Sequence, residues 1–168
     1  VVPMLRTFVT DAGTGVVEMD FCQGGSLQAR LAADGPLTTS EALAITEVLA
    51  DALDTADELE LLHLDVTPSN VLFTGFQQPQ LADFGLNQPS AAGAPPLSPS
   101  SLPYSAPEVV RGTRPTPAAD TWMLAATYAA MRTAKAPFGD SDPASVLLRR
   151  IERGDRVGLR GVTLSESE

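Results

Sequence analysis

His63-Leu64-Asp65-Val66-Thr67-Pro68-Ser69-Asn70-Val71-Leu72, followed by Leu81-Ala82-Asp83-Phe84-Gly85, is the stretch from which the rest of the chain can be read. Asn70 to Phe73 is a short run of β-formers, Gly75 to Pro79 is a turn, and Gln80-Leu81-Ala82 is a second β run. Two such runs around a Gly-containing turn predict a hairpin. Folding it back brings Asn70 and Asp83 together. Asn and Asp oxygens are hard donors of the kind magnesium prefers, and Asp65 is a further carboxylate nearby, able to accept a proton. The spacing therefore points to a divalent-cation site beside a base. Asp and Asn also favour turns for local reasons, so spacing alone leaves both readings open.

Working outward, the 168 residues are 43% hydrophobic and 19% charged, a globular balance. A single domain of this size buries roughly 70% of the surface its unfolded chain exposes. Eleven Lys and Arg against 21 Asp and Glu leave a net charge of −10. That argues against a nucleic-acid binder that works by neutralising phosphates, and against adhesion to an anionic membrane. One cysteine, Cys22, rules out an internal disulfide framework and any multi-cysteine zinc site. No apolar run approaches the ~20 residues of a membrane span, and no signal peptide is recognisable. The chain opens with Val1 in strand-like sequence, so the expectation is a piece of a larger, cytoplasmic protein.

Val1 to Thr10 and Val16 to Phe21 flank the turn Asp11-Ala12-Gly13-Thr14-Gly15 and predict a first β-hairpin. Ser26 is placed to cap a short helix from Leu27 to Ala33. Thr38 and Glu41 have the spacing of a capping box. Beyond them Ala42, Ile45, Leu49, Ala52, Leu53 and Ala56 recur at helical spacing, which predicts a helix of about twenty residues. Its other face carries Asp51, Asp54, Asp57, Glu58 and Glu60, expected as a solvated face rather than a metal cluster. Asn87 to Pro103, crowded with Ser, Pro, Ala and Gly, is expected to be a long mobile loop. Two further helices are predicted over Ala118 to Met131 and Ser145 to Arg153, with a Pro-Phe-Gly turn at 137–139 between them.

The neighbours of the opening stretch narrow its meaning. His63 to Leu72 resembles the protein-kinase catalytic loop, H-R-D-L-x-x-x-N, and Asp83-Phe84-Gly85 resembles the kinase magnesium motif. Tyr104-Ser105-Ala106-Pro107-Glu108 is similar to the end of the activation segment, Asp120-Thr121-Trp122 to the D-x-W that opens the next helix of the family, and Glu18 to Leu27 to the hinge between the two lobes. Five signals in family order, over residues 1 to 154, identify the chain as resembling the protein kinases, in particular bacterial eukaryotic-like Ser/Thr kinases. The fold class this implies is α+β and mostly helical, a kinase-like large lobe with a remnant small-lobe β-hairpin. Residues 1–22 would be the small-lobe remnant and hinge, 23–154 an incomplete large lobe lacking the family's final helices, and 155–168 a tail.

The resemblance implies ATP and Mg2+ as cofactors and a protein substrate with a Ser or Thr hydroxyl. It assigns Asp65 to orienting that hydroxyl and accepting its proton, and Asn70 and Asp83 to holding magnesium against the phosphates. Met19 would stand at the back of the adenine pocket, backbone groups of Asp20 and Cys22 would bond the adenine, and Leu72 would floor it. His63 and Phe84 would stack. His63 is expected as a packed, hydrogen-bonded residue and not a free base, and Cys22 as inert, since no adjacent cation lowers its pKa. Ser101, three residues before Tyr104, falls where the family has a hydroxyl contacting the catalytic Asp, and Ser98, Ser100 and Ser101 are candidate phosphorylation sites beside the plain reading of a flexible loop.

The sequence also departs from the family. Leu64 replaces the Arg that grips a phosphorylated activation loop, which implies activity without loop phosphorylation. Thr67 stands where Ser/Thr kinases place a Lys touching the transferred phosphate; losing that charge would cost on the order of 3 kcal/mol, about a hundredfold in rate. No Gly-rich phosphate loop precedes the hinge, and Lys135, the only lysine, lies on the wrong side of it to serve as the nucleotide-anchoring Lys. Glu108 would lack its usual Arg partner. The implied activity is transfer of the ATP γ-phosphoryl to a protein hydroxyl by the parent protein, with this chain alone expected to be inactive, poorly soluble or self-associating through exposed apolar surface. A pseudokinase scaffold is the alternative reading. A small-molecule phosphotransferase is a third, disfavoured by the Ala106-Pro107-Glu108 segment and the Asp120 helix.

Overall fold

A computed structural model describes residues 1–84, 98–139 and 142–156. The chain opens with an antiparallel hairpin of β1 (Met4–Val9) and β2 (Gly15–Met19), in which Val9 faces Gly15 and Met4 faces Met19, with a register irregularity between Met4 and Arg6. Then come α1 (Leu27–Asp34) and α2 (Thr39–Glu58), a second hairpin of β3 (Val71–Phe73) and β4 (Pro79–Leu81), a single 3-10 turn (Leu102–Tyr104), and helices α3 (Pro107–Val110), α4 (Pro117–Thr133) and α5 (Ala144–Arg153). Among the described residues the fold is mostly helical with two small two-stranded sheets, a kinase-like fragment carrying a small β-hairpin.

The local signals act as physical chemistry requires. The Ser26 hydroxyl accepts from Ala29 N–H at 3.2 Å, satisfying one of the orphan donors that begin α1. The Thr38 hydroxyl accepts from Glu41 N–H at 3.3 Å while the Glu41 carboxylate accepts from Thr38 N–H at 3.1 Å, a closed capping box, and Arg30 reaches the same carboxylate at 2.7 Å. Hydrogen bonding to Thr38 holds the Glu41 carboxyl below the usual range. Ala42, Ile45, Leu49, Leu53 and Ala56 of α2 are buried; Asp51, Asp54, Asp57, Glu58 and Glu60 are exposed. The buried face of α2 packs against α4 (Ala119, Met123, Leu124, Met131) and against Val66, Val71, Phe73 and Leu81 around the second hairpin. A smaller cluster joins Leu102, Phe138, Leu147 and Ile151. No helix of the described residues is long and apolar enough to cross a membrane.

Three expectations need correction. The second strand ends at Met19, and Phe21 is 86% exposed instead of continuing it. Of the expected loop, residues 87–97 lie outside the described residues, but its end is not loose: Ser101 to Pro103 are buried, as is Tyr104 after it. The Ser98 carbonyl accepts from both Ser101 and Leu102 N–H at 3.1 Å, which winds the 3-10 turn and delivers Leu102 to the Phe138 cluster. Finally, α3 forms where no helix was expected. Pro107 at its first position needs no N–H partner there.

Candidate active site

The segment between α2 and β3 has no regular ladder of its own, and its backbone is held from α4. The Asp120 carboxylate, buried, accepts from His63 N–H through Oδ2 and from Leu64 N–H through Oδ1, each at 2.7 Å. One turn pair further along the same helix face, Thr127 Oγ1 donates to the Val66 carbonyl at 2.8 Å and is fully buried. Residues seven apart lie on one side of a helix, so α4 grips the loop at two points. Leu64 sits at φ +58, a left-handed conformation unusual for a side chain with Cβ. Its side chain is only 2% exposed and belongs to the core. Burial raises the Asp120 pKa, and the two backbone N–H groups oppose that shift.

His63 is a packed residue. Its Nε2–H donates to the Ala82 carbonyl at 2.9 Å, and its Nδ1 accepts from Asp65 N–H at 3.2 Å, an arrangement that assigns the proton to Nε2. Burial lowers its pKa, more than the nearby Asp120 charge restores it. Phe84 meets the imidazole edge to face, with centroids 4.4 Å apart and planes at 69°, so the expected stack is a T-shaped one.

Hydrogen bonds to backbone carbonyls link the segments that carry Asp65, Asn70 and Asp83. Asn70 Nδ2 donates to the Asp65 carbonyl at 2.9 Å, and Ala82 N–H donates to the Asn70 carbonyl at 2.9 Å, directly before Asp83. Asp83 stands at φ +64. Asp65 Oδ1 is buried with no hydrogen-bond partner. A buried carboxylate oxygen without a donor is costly, and a substrate hydroxyl would supply the missing one. Among the described residues no hydrogen bond engages the Asn70 side-chain oxygen or the Asp83 carboxylate. No set of three or more His, Cys, Asp or Glu side chains forms a metal site by itself among the described residues. Two side chains with uncommitted hard oxygens fit magnesium of the kind that completes its shell with water and substrate phosphates.

Met19 ends β2, Asp20 and Cys22 follow it on the way to α1, and Leu72 lies in β3. Met19 shares a cavity of about 270 Å3 with Val17, Asp83 and Phe84. Asp20 N–H donates to the Pro3 carbonyl at 3.0 Å, and the Cys22 carbonyl accepts from Gly25 N–H at 3.2 Å. The Cys22 thiol is half-buried, 3.9 Å from Gln80 Oε1. Gly24 N–H donates to Phe73 C=O, and Phe73 N–H to Gly25 C=O, both at 2.9 Å; Ser26 bridges Leu72. Cys22 and the half-buried Leu72 therefore flank one stitched ribbon.

Thr67 is buried, and its hydroxyl meets Ser69 Oγ at 2.8 Å. Ser101 Oγ meets Ser98 Oγ at 2.6 Å and not Asp65. No ion pair among the described residues involves Glu108. Gly85 lies outside the described residues. The residues whose role was not assigned from sequence are Asp120 and Thr127. A polar pair seven apart on an otherwise apolar helix stretch was the available signal.

A family model for the protein kinase domain matches residues 1–159. The chain is 36% identical over 143 residues to serine/threonine-protein kinase PknK of Mycobacterium tuberculosis, covering 82% of this chain and 13% of that protein. It is 33% identical over 156 residues to serine/threonine-protein kinase PknF of the same species, covering 84% and 33%, and 30% identical over 159 residues to serine/threonine-protein kinase PkaB of Streptomyces coelicolor, covering 88% and 38%. The chain thus spans from about an eighth to under two-fifths of the length of these relatives. With the loop, the Asp120 clamp and the match over nearly its whole length, the chain belongs to the protein kinase domain family.

Proposed function

We propose that this chain is part of an ATP-dependent protein serine/threonine kinase, and that residues 1–22 are a remnant of its small lobe with the hinge, 23–154 an incomplete large lobe and 155–168 a tail. Asp65 positions the acceptor hydroxyl and takes its proton as the hydroxyl oxygen bonds to the γ-phosphorus and the bond to the ADP oxygen breaks. Asn70 and Asp83 hold Mg2+, which when bound neutralises charge on the phosphate oxygens. Met19, Leu72 and backbone groups of Asp20 and Cys22 hold the adenine. Thr67, buried at the position next to the site, orders the loop through Ser69 without adding a charge. The reading is carried by one observation: a buried Asp65 oxygen left without a donor, in a loop whose His63 and Leu64 N–H groups are clamped by the Asp120 carboxylate.

The test uses the full-length protein with magnesium-ATP and a hydroxyl-bearing protein substrate. Transfer to Ser or Thr is expected, falling about 10²- to 10⁴-fold in Asp65→Asn. In Asp83→Asn nucleotide affinity should lose its dependence on magnesium. Nucleotide binding with no transfer would select a scaffold in place of an enzyme.

A further inference from the structure

A cavity of about 330 Å3 lies between α1, the segment before Ala106 and the end of α4. Its lining includes the small side chains of Ala32, Ala130 and Ala136 beside Leu31 and Tyr104, and the polar Gln28 and Ser100. The cavity adjoins the loop that carries Asp65 and Asn70: Gln28 N–H donates to the Pro68 carbonyl of that loop at 2.9 Å, and Ser100 precedes the buried Ser101. Its only charged lining residue among the described residues is Lys135, the single lysine of a chain with net charge −10. Lys135 is held in place by its backbone. Ala134 takes the left-handed conformation at φ +53 to end α4, and the Thr133 hydroxyl accepts from Lys135 N–H at 3.1 Å and lies 3.0 Å from its carbonyl. No carboxylate pairs with the Lys135 ammonium among the described residues.

We propose that this cavity receives the residues flanking the acceptor hydroxyl of a protein substrate, and that Lys135 makes it select an acidic side chain there. The proposal rests on the kinase reading for what the bound peptide is, and on charge complementarity for its chemistry. A basic peptide would be drawn by the overall acidic charge, but inside this cavity it would meet a like charge and no carboxylate. An acidic side chain pairs with the one cation present, next to small residues that leave room for it. Selection at this position is therefore local and opposes the long-range field, which salt would screen.

The experiment measures binding of fluorescein-labelled serine peptides, with Ala, Asp or Lys flanking the serine, to the full-length protein by anisotropy. The expected result is an Asp peptide bound about fivefold tighter than the Ala peptide, an advantage kept in Lys135→Arg, lost in Lys135→Ala and reversed toward the Lys peptide in Lys135→Glu. Lys135 is exposed beyond the helix end, so these variants leave the core untouched. Equal affinities, absence of peptide binding, or a preference unchanged in Lys135→Glu would overturn the proposal. Binding is read without turnover. A charge preference without phosphoryl transfer would sink the kinase reading and spare the groove; transfer without a charge preference would do the reverse.

Discussion

At the scale of single residues, the loop between α2 and β3 is organised by two ionisable groups taken out of water. His63 is the only histidine in the chain, so its titration can be followed in the stability of the whole molecule. Burial places its folded-state pKa below the ordinary 6.5. For a group shifted down, the stabilisation is present above the unfolded value and is lost as pH falls toward the folded one, because the unfolded chain then binds the extra proton. Urea stability should therefore decline as pH drops below 6.5, by at most about 1.4 kcal/mol per pH unit. Asp120, raised by burial, contributes with the opposite sign in the more acidic window above 3.8. Subtracting the profile of His63→Gln from wild type isolates the histidine; coincident slopes in the two proteins would remove this account. Leu64 carries a second residue-scale prediction. Its side chain is packed in the core and offers no cation to a phosphate group. Phosphatase-treated and untreated full-length protein should transfer phosphate at equal rates, and loss of transfer on dephosphorylation would show that another cation has taken the role of the missing Arg.

At the scale of elements, the ribbon linking the first hairpin to α1 depends on one close approach. A Cβ at Gly24 would lie 2.7 Å from Phe73 Cβ and 2.8 Å from the Thr74 carbonyl oxygen, distances that backbone must move to relieve. Gly24→Ala should cost about 2–3 kcal/mol in urea unfolding and weaken nucleotide affinity, since Cys22 and Leu72 are held across the same stitching. A variant of unchanged stability would mean that the strip yields easily. Much at this level was legible beforehand. The Thr38–Glu41 box and the apolar spacing from Ala42 to Ala56 locate α2 because capping and amphipathicity are local and periodic. What was not legible is tertiary. Ser101 to Pro103 read as loop because Ser and Pro favour turns, whereas the burial of Leu102 depends on Phe138, Leu147 and Ile151, which lie far along the chain. The clamp by Asp120 was hidden for the same reason: 57 residues separate it from the His63 N–H that it accepts.

At the scale of the whole molecule, stability is unevenly distributed. The faces of α2 and α4 enclose most of the apolar core, with Leu49, Met123 and Met131 almost wholly buried. Every residue of β1 is exposed, and Met4, Leu5, Phe8 and Val9 keep much of their apolar surface in water. The first hairpin is tied to the rest at few points, among them Val2 N–H to the Leu81 carbonyl at 2.8 Å, a bond that runs to the second hairpin beside Asp83. A two-stranded ribbon is marginal by itself, and segments with little buried apolar contact open at low free energy. Amide exchange should therefore be fast at Thr7 and Val17, near the global limit at Leu49 and Met123, and intermediate at Val71 and Leu81, where the site is assembled. Nucleotide bound across Met19 and Asp83 would touch both the weak and the strong regions, so adding magnesium-ATP should slow exchange in the first hairpin most, while leaving α2 and α4 unchanged. Uniform protection in the free protein would refute this partition, and nucleotide-induced protection confined to α2 and α4 would place the ligand away from Met19 and Asp83.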